Sequence, residues 1–124
     1  MSIVIVDDSA VVRRLLREML ARVEGAEVVG EFASPAAAIE SIRSHPPDVV
    51  LLDIQLLNGS GLEVLRAVSS DHPDVKVMVF TNYAEDVYRQ RCLQAGACAF
   101  YDKKSDLYAL RQTLSGLVAA AAVN

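Results

Sequence analysis

Four times along this chain an apolar run stops abruptly at a polar residue. Ser2-Ile3-Val4-Ile5-Val6 stops at Asp7-Asp8, and Asp48-Val49-Val50-Leu51-Leu52 stops at Asp53. Val75-Lys76-Val77-Met78-Val79-Phe80 stops at Thr81-Asn82, and Cys98-Ala99-Phe100-Tyr101-Asp102 stops at Lys103-Lys104. Each run is short and rich in strand-forming residues, so each reads as a buried strand, with Glu27 to Phe32 as a fifth.

The segments between the runs have helical spacing. In the first, Val12, Leu15, Leu16, Met19, Leu20 and Val23 make an apolar stripe, with Ser9 as the expected N-cap and Gly25 as the stop. Ser34-Pro35 opens the second, Ala38, Ile39 and Ile42 face inward, and His45-Pro46-Pro47 ends it. The third runs from about Gly61 to Ser70 on Leu62, Leu65 and Val68. A fourth, from about Ala84 to Ala95, is expected to bury Val87, Tyr88 and Cys92 before Gly96. The last starts from an expected cap at Ser105 and carries Leu107, Leu110, Leu114, Leu117 and Ala121. Five strictly alternating strand–helix units predict an α/β domain over residues 1–124, its parallel sheet covered on both faces. The carboxyl ends of such strands form a shared crevice. Three carboxylates, a hydroxyl and an ammonium are thereby expected at one sheet edge, a set suited to phosphate and metal chemistry.

Composition narrows the class. At 124 residues the chain suits one domain, and 52% hydrophobic with 23% charged residues is ordinary for a globular protein. A net charge of −4 argues against direct nucleic-acid binding by this domain. The first apolar run lacks a basic flank and is cut by Asp7-Asp8, so it does not read as a signal peptide. The longest apolar stretch, Leu117 to Val123, is far shorter than the ~20 residues of a membrane span, and a cytoplasmic location is expected. Cys92 and Cys98 are expected as buried free thiols.

Taken singly, Asp7-Asp8 fits a solvated turn and Asp53 a loop residue capping the turn before Asn58-Gly59. Taken together they repel, and a divalent cation is a natural stabiliser, since Mg²⁺ takes one or two carboxylates and keeps several waters. Ile5-Val6-Asp7-Asp8-Ser9, Val49-Val50-Leu51-Leu52-Asp53-Ile54, Gly59-Ser60-Gly61-Leu62-Glu63-Val64-Leu65, Val79-Phe80-Thr81 and the segment from Ala95 to Lys103 occur in this order. With these pieces the chain resembles, over its whole length, the receiver domain of bacterial response regulators in two-component signalling. The resemblance implies a flavodoxin-like (βα)5 doubly wound fold with strand order 2-1-3-4-5, an order exemplified by a receiver protein.

It also implies roles. Asp53 would be the phosphoacceptor, taking a phosphoryl group from a sensor histidine kinase or phosphotransfer protein as an aspartyl phosphate. Asp8 and Asp53 would bind Mg²⁺ with the backbone carbonyl of Gln55, and Asp7 would act largely through water. Lys103 and the Thr81 hydroxyl would each meet a phosphoryl oxygen. Thr81 and Phe100 would form the switch, read out by a downstream target on the surface of helix four, strand five and helix five. Tyr88, Tyr101 and Tyr108 are candidates for that surface, with Tyr101 facing away from Phe100. The last helix can serve either dimerisation or docking.

The chain departs from the family pattern at three places. Leu57 stands where many receivers have proline, which removes a fixed φ. Asn82 and Tyr83 follow the switch threonine where a small residue is usual, and they are expected to crowd the path of attacking water and slow autodephosphorylation. Phe100 carries no phenol hydroxyl. A phosphatase of the haloacid-dehalogenase type is disfavoured, because Ser9 stands where that family needs a second aspartate after Asp7, and the chain has no room for a cap domain. A receiver used only for docking is disfavoured by the five retained site residues. The remaining alternative is the receiver portion of a longer DNA-binding regulator, although these 124 residues contain no helix-turn-helix segment.

Overall fold

The computed structural model describes residues 1–56 and 58–123, so Leu57, which stands where the family pattern has a proline with its fixed φ, lies outside the described residues. Strands β1 (Ser2–Val6), β2 (Glu27–Phe32), β3 (Val49–Leu52), β4 (Lys76–Thr81) and β5 (Ala99–Asp102) form one sheet in the order β2-β1-β3-β4-β5. All pairings in it are parallel. The flavodoxin-like order implied by the resemblance is the order observed.

Alternation along the strands decides which helices cover which face. Ile3 and Ile5 of β1 point with Leu51, Met78 and Phe80 towards α1 (Ala10–Leu20) and α5 (Leu107–Val123), which contribute Leu16, Met19, Leu20, Leu110 and Leu114. Val4 and Val6 point the other way with Val50, Leu52, Val77, Val79 and Phe100. That face is covered by α2 (Pro35–Ser44), α3 (Gly61–Asp71) and α4 (Asp86–Gln94). No described helix is long and apolar enough to cross a membrane.

Local sequence sets most helix starts. The Ser9 hydroxyl accepts from the Val12 N–H at 3.2 Å and caps α1. Ser34 occupies the cap position of α2 without a side-chain cap bond, and Pro35 supplies the first helical φ instead. Ser60 and Glu63 form a reciprocal capping box at α3. Gly96, at φ 113°, follows α4 in a conformation that disfavours a side chain.

Several expectations fail for identifiable reasons. Leu15 is 44% exposed because the buried stripe of α1 runs through Leu16, Met19 and Leu20, leaving its neighbour on the edge. Val87 is 57% exposed, since α4 fully buries only Cys92 and half-buries Tyr88. Cys98 is exposed just before β5, although its N–H joins Val77 O at 2.9 Å. Helix α1 ends at Leu20 and not at Gly25. Helix α5 starts at Leu107, because Asp106 takes the capping place expected of Ser105. The Asp106 carbonyl accepts from Leu110 N–H at 2.9 Å, and its carboxylate accepts from Asp102 N–H at 2.9 Å.

Leu114→Ala removes a fully buried side chain and is expected to lower unfolding free energy in urea by about 3 kcal/mol. Leu15→Ala is expected to cost no more than about 0.5 kcal/mol. Equal losses would contradict the placement of the α1 stripe.

Candidate functional site

Strand register builds the site. Phe32 lies opposite Val6, Val6 opposite Leu52, Leu52 opposite Val79, and Val79 opposite Phe100, so one rung crosses all five strands. Asp7 and Asp53 each follow that rung by one residue, and the Asp53 N–H donates to Val6 O at 2.9 Å. Thr81 lies two residues beyond the rung and Lys103 three, tied together by the Lys103 N–H donating to Thr81 O at 2.9 Å. Asp7, Asp8, Asp53, Thr81 and Lys103 therefore gather at the carboxyl edge of the sheet, where sequence had put them.

The Lys103 ammonium donates to Asp53 Oδ2 at 2.7 Å and lies 2.7 Å from Asp7 Oδ2. Both carboxylates are buried, at 2% exposure for Asp7 and 6% for Asp53. Each has a backbone partner as well: Ser9 N–H donates to Asp7 Oδ1 at 2.9 Å, and Gln55 N–H to Asp53 Oδ1 at 3.2 Å. Asp8 is exposed. Burial pushes the Asp7 carboxyl above its ordinary value of 3.8, more than the Lys103 hydrogen bond brings it down. Burial also works against the Lys103 charge, but the two carboxylates outweigh it and raise the ammonium above 10.5.

One ammonium faces three carboxyl groups, so the cluster stays acidic. One ligand oxygen from each of Asp7, Asp8 and Asp53 lies within 4.8 Å of the others. Opposite ligands of octahedral Mg²⁺ sit about 4.2 Å apart, so a slight drawing-in or an intervening water reconciles the set with that ion. Oxygen-only donors with an acidic balance fit a hard divalent cation.

Thr81 is fully buried, and its Oγ1 accepts from Tyr83 N–H at 3.2 Å. Gln55 and Tyr83 both line a groove of about 410 Å³ that also takes in Ile54, next in sequence to Asp53, and the Tyr83 ring meets Tyr88 edge-on at 5.8 Å. Phe100 is buried against the α2–α4 side, with the Arg89 guanidinium 5.8 Å from its ring centre. Tyr101 faces the α1–α5 side and shares a 2.7 Å hydrogen bond with Thr113, so the expected alternation holds.

Two contributors escaped the sequence reading. Gly61 packs so closely on the Asp53–Ile54 peptide that a Cβ there would collide with the Asp53 carbonyl, and its N–H donates to Ile54 O at 2.8 Å. The Gly59-Ser60-Gly61 spacing was the available signal. Arg13 Nη1 donates to the Asp7 carbonyl at 2.7 Å, which helical periodicity alone does not reveal.

Comparison with known proteins agrees with this architecture. The family described as "Response regulator receiver domain" matches residues 3–115. The response regulator GacA of Pseudomonas viridiflava is 37% identical over 112 residues, covering 90% of this chain and 52% of that protein. The DNA-binding transcriptional activator DevR/DosR of Mycobacterium tuberculosis is 36% identical over 99 residues, 80% of this chain and 46% of that protein. The chain thus spans about half the length of these curated relatives. A two-component response regulator of the LuxR family from Aurantimonas sp. SI85-9A1 superposes with a TM-score of 0.87 at 28% identity, covering 96% of this chain and 85% of that one.

Removing Lys103 leaves two buried carboxylates uncompensated. Lys103→Ala is expected to lower stability at pH 7 by about 3 kcal/mol. The folded-state pKa of Asp7 is already raised, so its ionisation opposes folding at neutral pH and that opposition fades as pH falls. The deficit should therefore narrow on acidification, and millimolar Mg²⁺ should reduce it at pH 7. Thermal unfolding across pH checks this, and a pH-independent, Mg²⁺-independent deficit contradicts it.

Proposed function

This chain belongs to the response regulator receiver domain family, and we propose that it accepts a phosphoryl group on Asp53 in a Mg²⁺-dependent reaction and signals the change to a partner. The observation that carries this reading is the Lys103 ammonium held 2.7 Å from both Asp53 and Asp7 inside a cluster of three carboxyl groups. In this reading an Asp53 oxygen attacks the phosphorus of a phosphohistidine on a sensor histidine kinase or phosphotransfer protein. The O–P bond forms as the P–N bond breaks. The imidazole nitrogen leaves with the bonding pair and takes up a proton, and Asp53 becomes an aspartyl phosphate.

Asp8, Asp53 and the Gln55 backbone carbonyl would hold the cation, with Asp7 acting largely through water. When bound, Mg²⁺ neutralises phosphoryl charge, the main requirement of a transfer governed by positioning and electrostatics. Lys103 exchanges a carboxylate partner for a phosphoryl oxygen. The Thr81 hydroxyl accepts one hydrogen bond and keeps its own proton to donate to another phosphoryl oxygen. Water later hydrolyses the acyl phosphate, restoring Asp53 and releasing inorganic phosphate. The chain is then a signalling domain that catalyses only its own phosphotransfer and autodephosphorylation.

Readout would pass from Thr81 and Phe100 to the surface of α4, β5 and α5, where Val87 and Tyr108 are exposed to a downstream target or a second copy. A second reading has support too. The relatives are about twice as long, and one is named as DNA-binding. In that reading this domain controls an attached DNA-binding domain and does not itself touch nucleic acid, in keeping with its net charge of −4.

Incubation with acetyl phosphate and Mg²⁺ is expected to add one phosphoryl group by intact mass, and Asp53→Asn or excess EDTA to abolish it. Uptake by Asp53→Asn, or none by wild type, contradicts the reading. Because Tyr83 is hydrogen-bonded through its N–H to the Thr81 hydroxyl and lines a groove with Ile54 and Gln55, the neighbours of Asp53, Tyr83→Ala is expected to shorten the phosphoryl lifetime roughly five-fold, about 1 kcal/mol in barrier. An unchanged lifetime in both Tyr83→Ala and Asn82→Ala would remove these residues from the control of hydrolysis.

A further inference from the structure

The three carboxylates are not held alike. Asp7 is fixed by Ser9 N–H and Lys103, and Asp53 by Gln55 N–H and Lys103. The exposed Asp8 side chain has no hydrogen-bond or ion-pair partner among the described residues. Its direction is set by its own backbone, beginning with the Asp7–Asp8 peptide.

That peptide is gripped from one side. Arg13 Nη1 donates to the Asp7 carbonyl at 2.7 Å from the first turn of α1. The guanidinium also lies in ion-pair range of Glu31 on β2, whose carboxylate is 3.7 Å from Arg13 Nε and accepts a hydrogen bond from Arg17 Nη1 at 2.6 Å. Arg13 and Glu31 are 22% and 24% exposed, so the pair is substantially screened from solvent. On the amino side, Asp7 N–H donates to Phe32 O at 3.0 Å, and on the carboxyl side Ser9 caps α1. The carbonyl between these anchors has Arg13 as its partner.

We propose that Arg13, braced by Glu31, is a positioning residue that holds the Asp7–Asp8 peptide so that Asp8 presents its carboxylate to the divalent cation. The inference rests on the Mg²⁺ reading above and assigns Arg13 no contact with the ion. It makes a prediction opposite to simple electrostatics. Deleting a positive charge near a cation site should tighten cation binding through space. Deleting a positioning hydrogen bond should weaken it.

Isothermal titration of the metal alone, Mg²⁺ into protein stripped with EDTA, separates these outcomes without any phosphodonor. Arg13→Ala is expected to weaken Mg²⁺ binding about five-fold, equivalent to about 1 kcal/mol, the scale of one hydrogen bond. Arg13→Lys, which keeps the charge and one donor direction, and Glu31→Gln, which loosens the brace, should each fall between Arg13→Ala and wild type. Unfolding temperatures of the cation-free variants are recorded alongside. A lower unfolding temperature with unchanged Mg²⁺ affinity marks Arg13 as merely structural and overturns the proposal. Tighter binding by Arg13→Ala also overturns it, as a through-space charge effect. If Arg13→Ala does not fold, wild-type affinity in both other variants overturns it. Asp8→Asn should bind far more weakly than any of these. If wild type itself binds no Mg²⁺, the metal reading fails and this inference with it; wild-type binding lost in Asp8→Asn but retained in Arg13→Ala defeats this inference alone.

Discussion

The Lys103 ammonium, shared at 2.7 Å between Asp7 and Asp53, is the contact on which the rest of the arrangement depends. Two carboxylates buried this deeply repel each other and lose hydration, and a shared cation offsets both costs at once. One ammonium does not satisfy three carboxyl groups, however. In the proposed reading, the residual negative charge is what would make the sheet edge a receptor for a further cation. An acidic cluster neutralised completely by its own lysines and arginines would be a structural knot with nothing left to bind.

The fold holds that balance through strand register. Lys103 reaches across β4 and β3 to Asp7 because β5 pairs with β4 so that Thr81 lies opposite Asp102, and the next N–H returns to Thr81 O. A slip of one residue in β5 would turn Phe100 out of the α2–α4 core and carry Lys103 away from the carboxylates together. Core packing and site geometry are thus the same constraint seen from two sides. Gly61 adds a second tie, letting the start of α3 lie directly against the Asp53 backbone. Arg13 and Glu31 add a third from the far edge of the sheet.

Much of this was legible in the sequence, for a physical reason. Strands buried on both faces read as unbroken apolar runs, so the polar residue ending each run marks the crevice. Asp7, Asp53, Thr81 and Lys103 all fall where that logic places them. Helix faces were less legible, because a helix at the edge of the core buries a narrow stripe, and several apolar positions satisfy the same spacing. Leu15 and Val87 read as inward yet lie outside. Capping was ambiguous where two candidates adjoin: Ser105 and Asp106 both suit, and it is Asp106 that precedes Leu107, its carboxylate accepting from the Asp102 N–H. The Arg13 contact was illegible, because a side chain's partner across a loop depends on tertiary placement and leaves no periodic trace.

The central claim is that, of three clustered carboxyl groups, Asp53 alone becomes the acyl phosphate. Borohydride reduces an aspartyl phosphate to homoserine, which survives digestion and marks the residue that carried it. Peptide mapping by mass spectrometry after phosphorylation and reduction should find homoserine at position 53 and at neither 7 nor 8. Homoserine at position 7 or 8, or at none of the three after demonstrated phosphoryl uptake, would contradict the account.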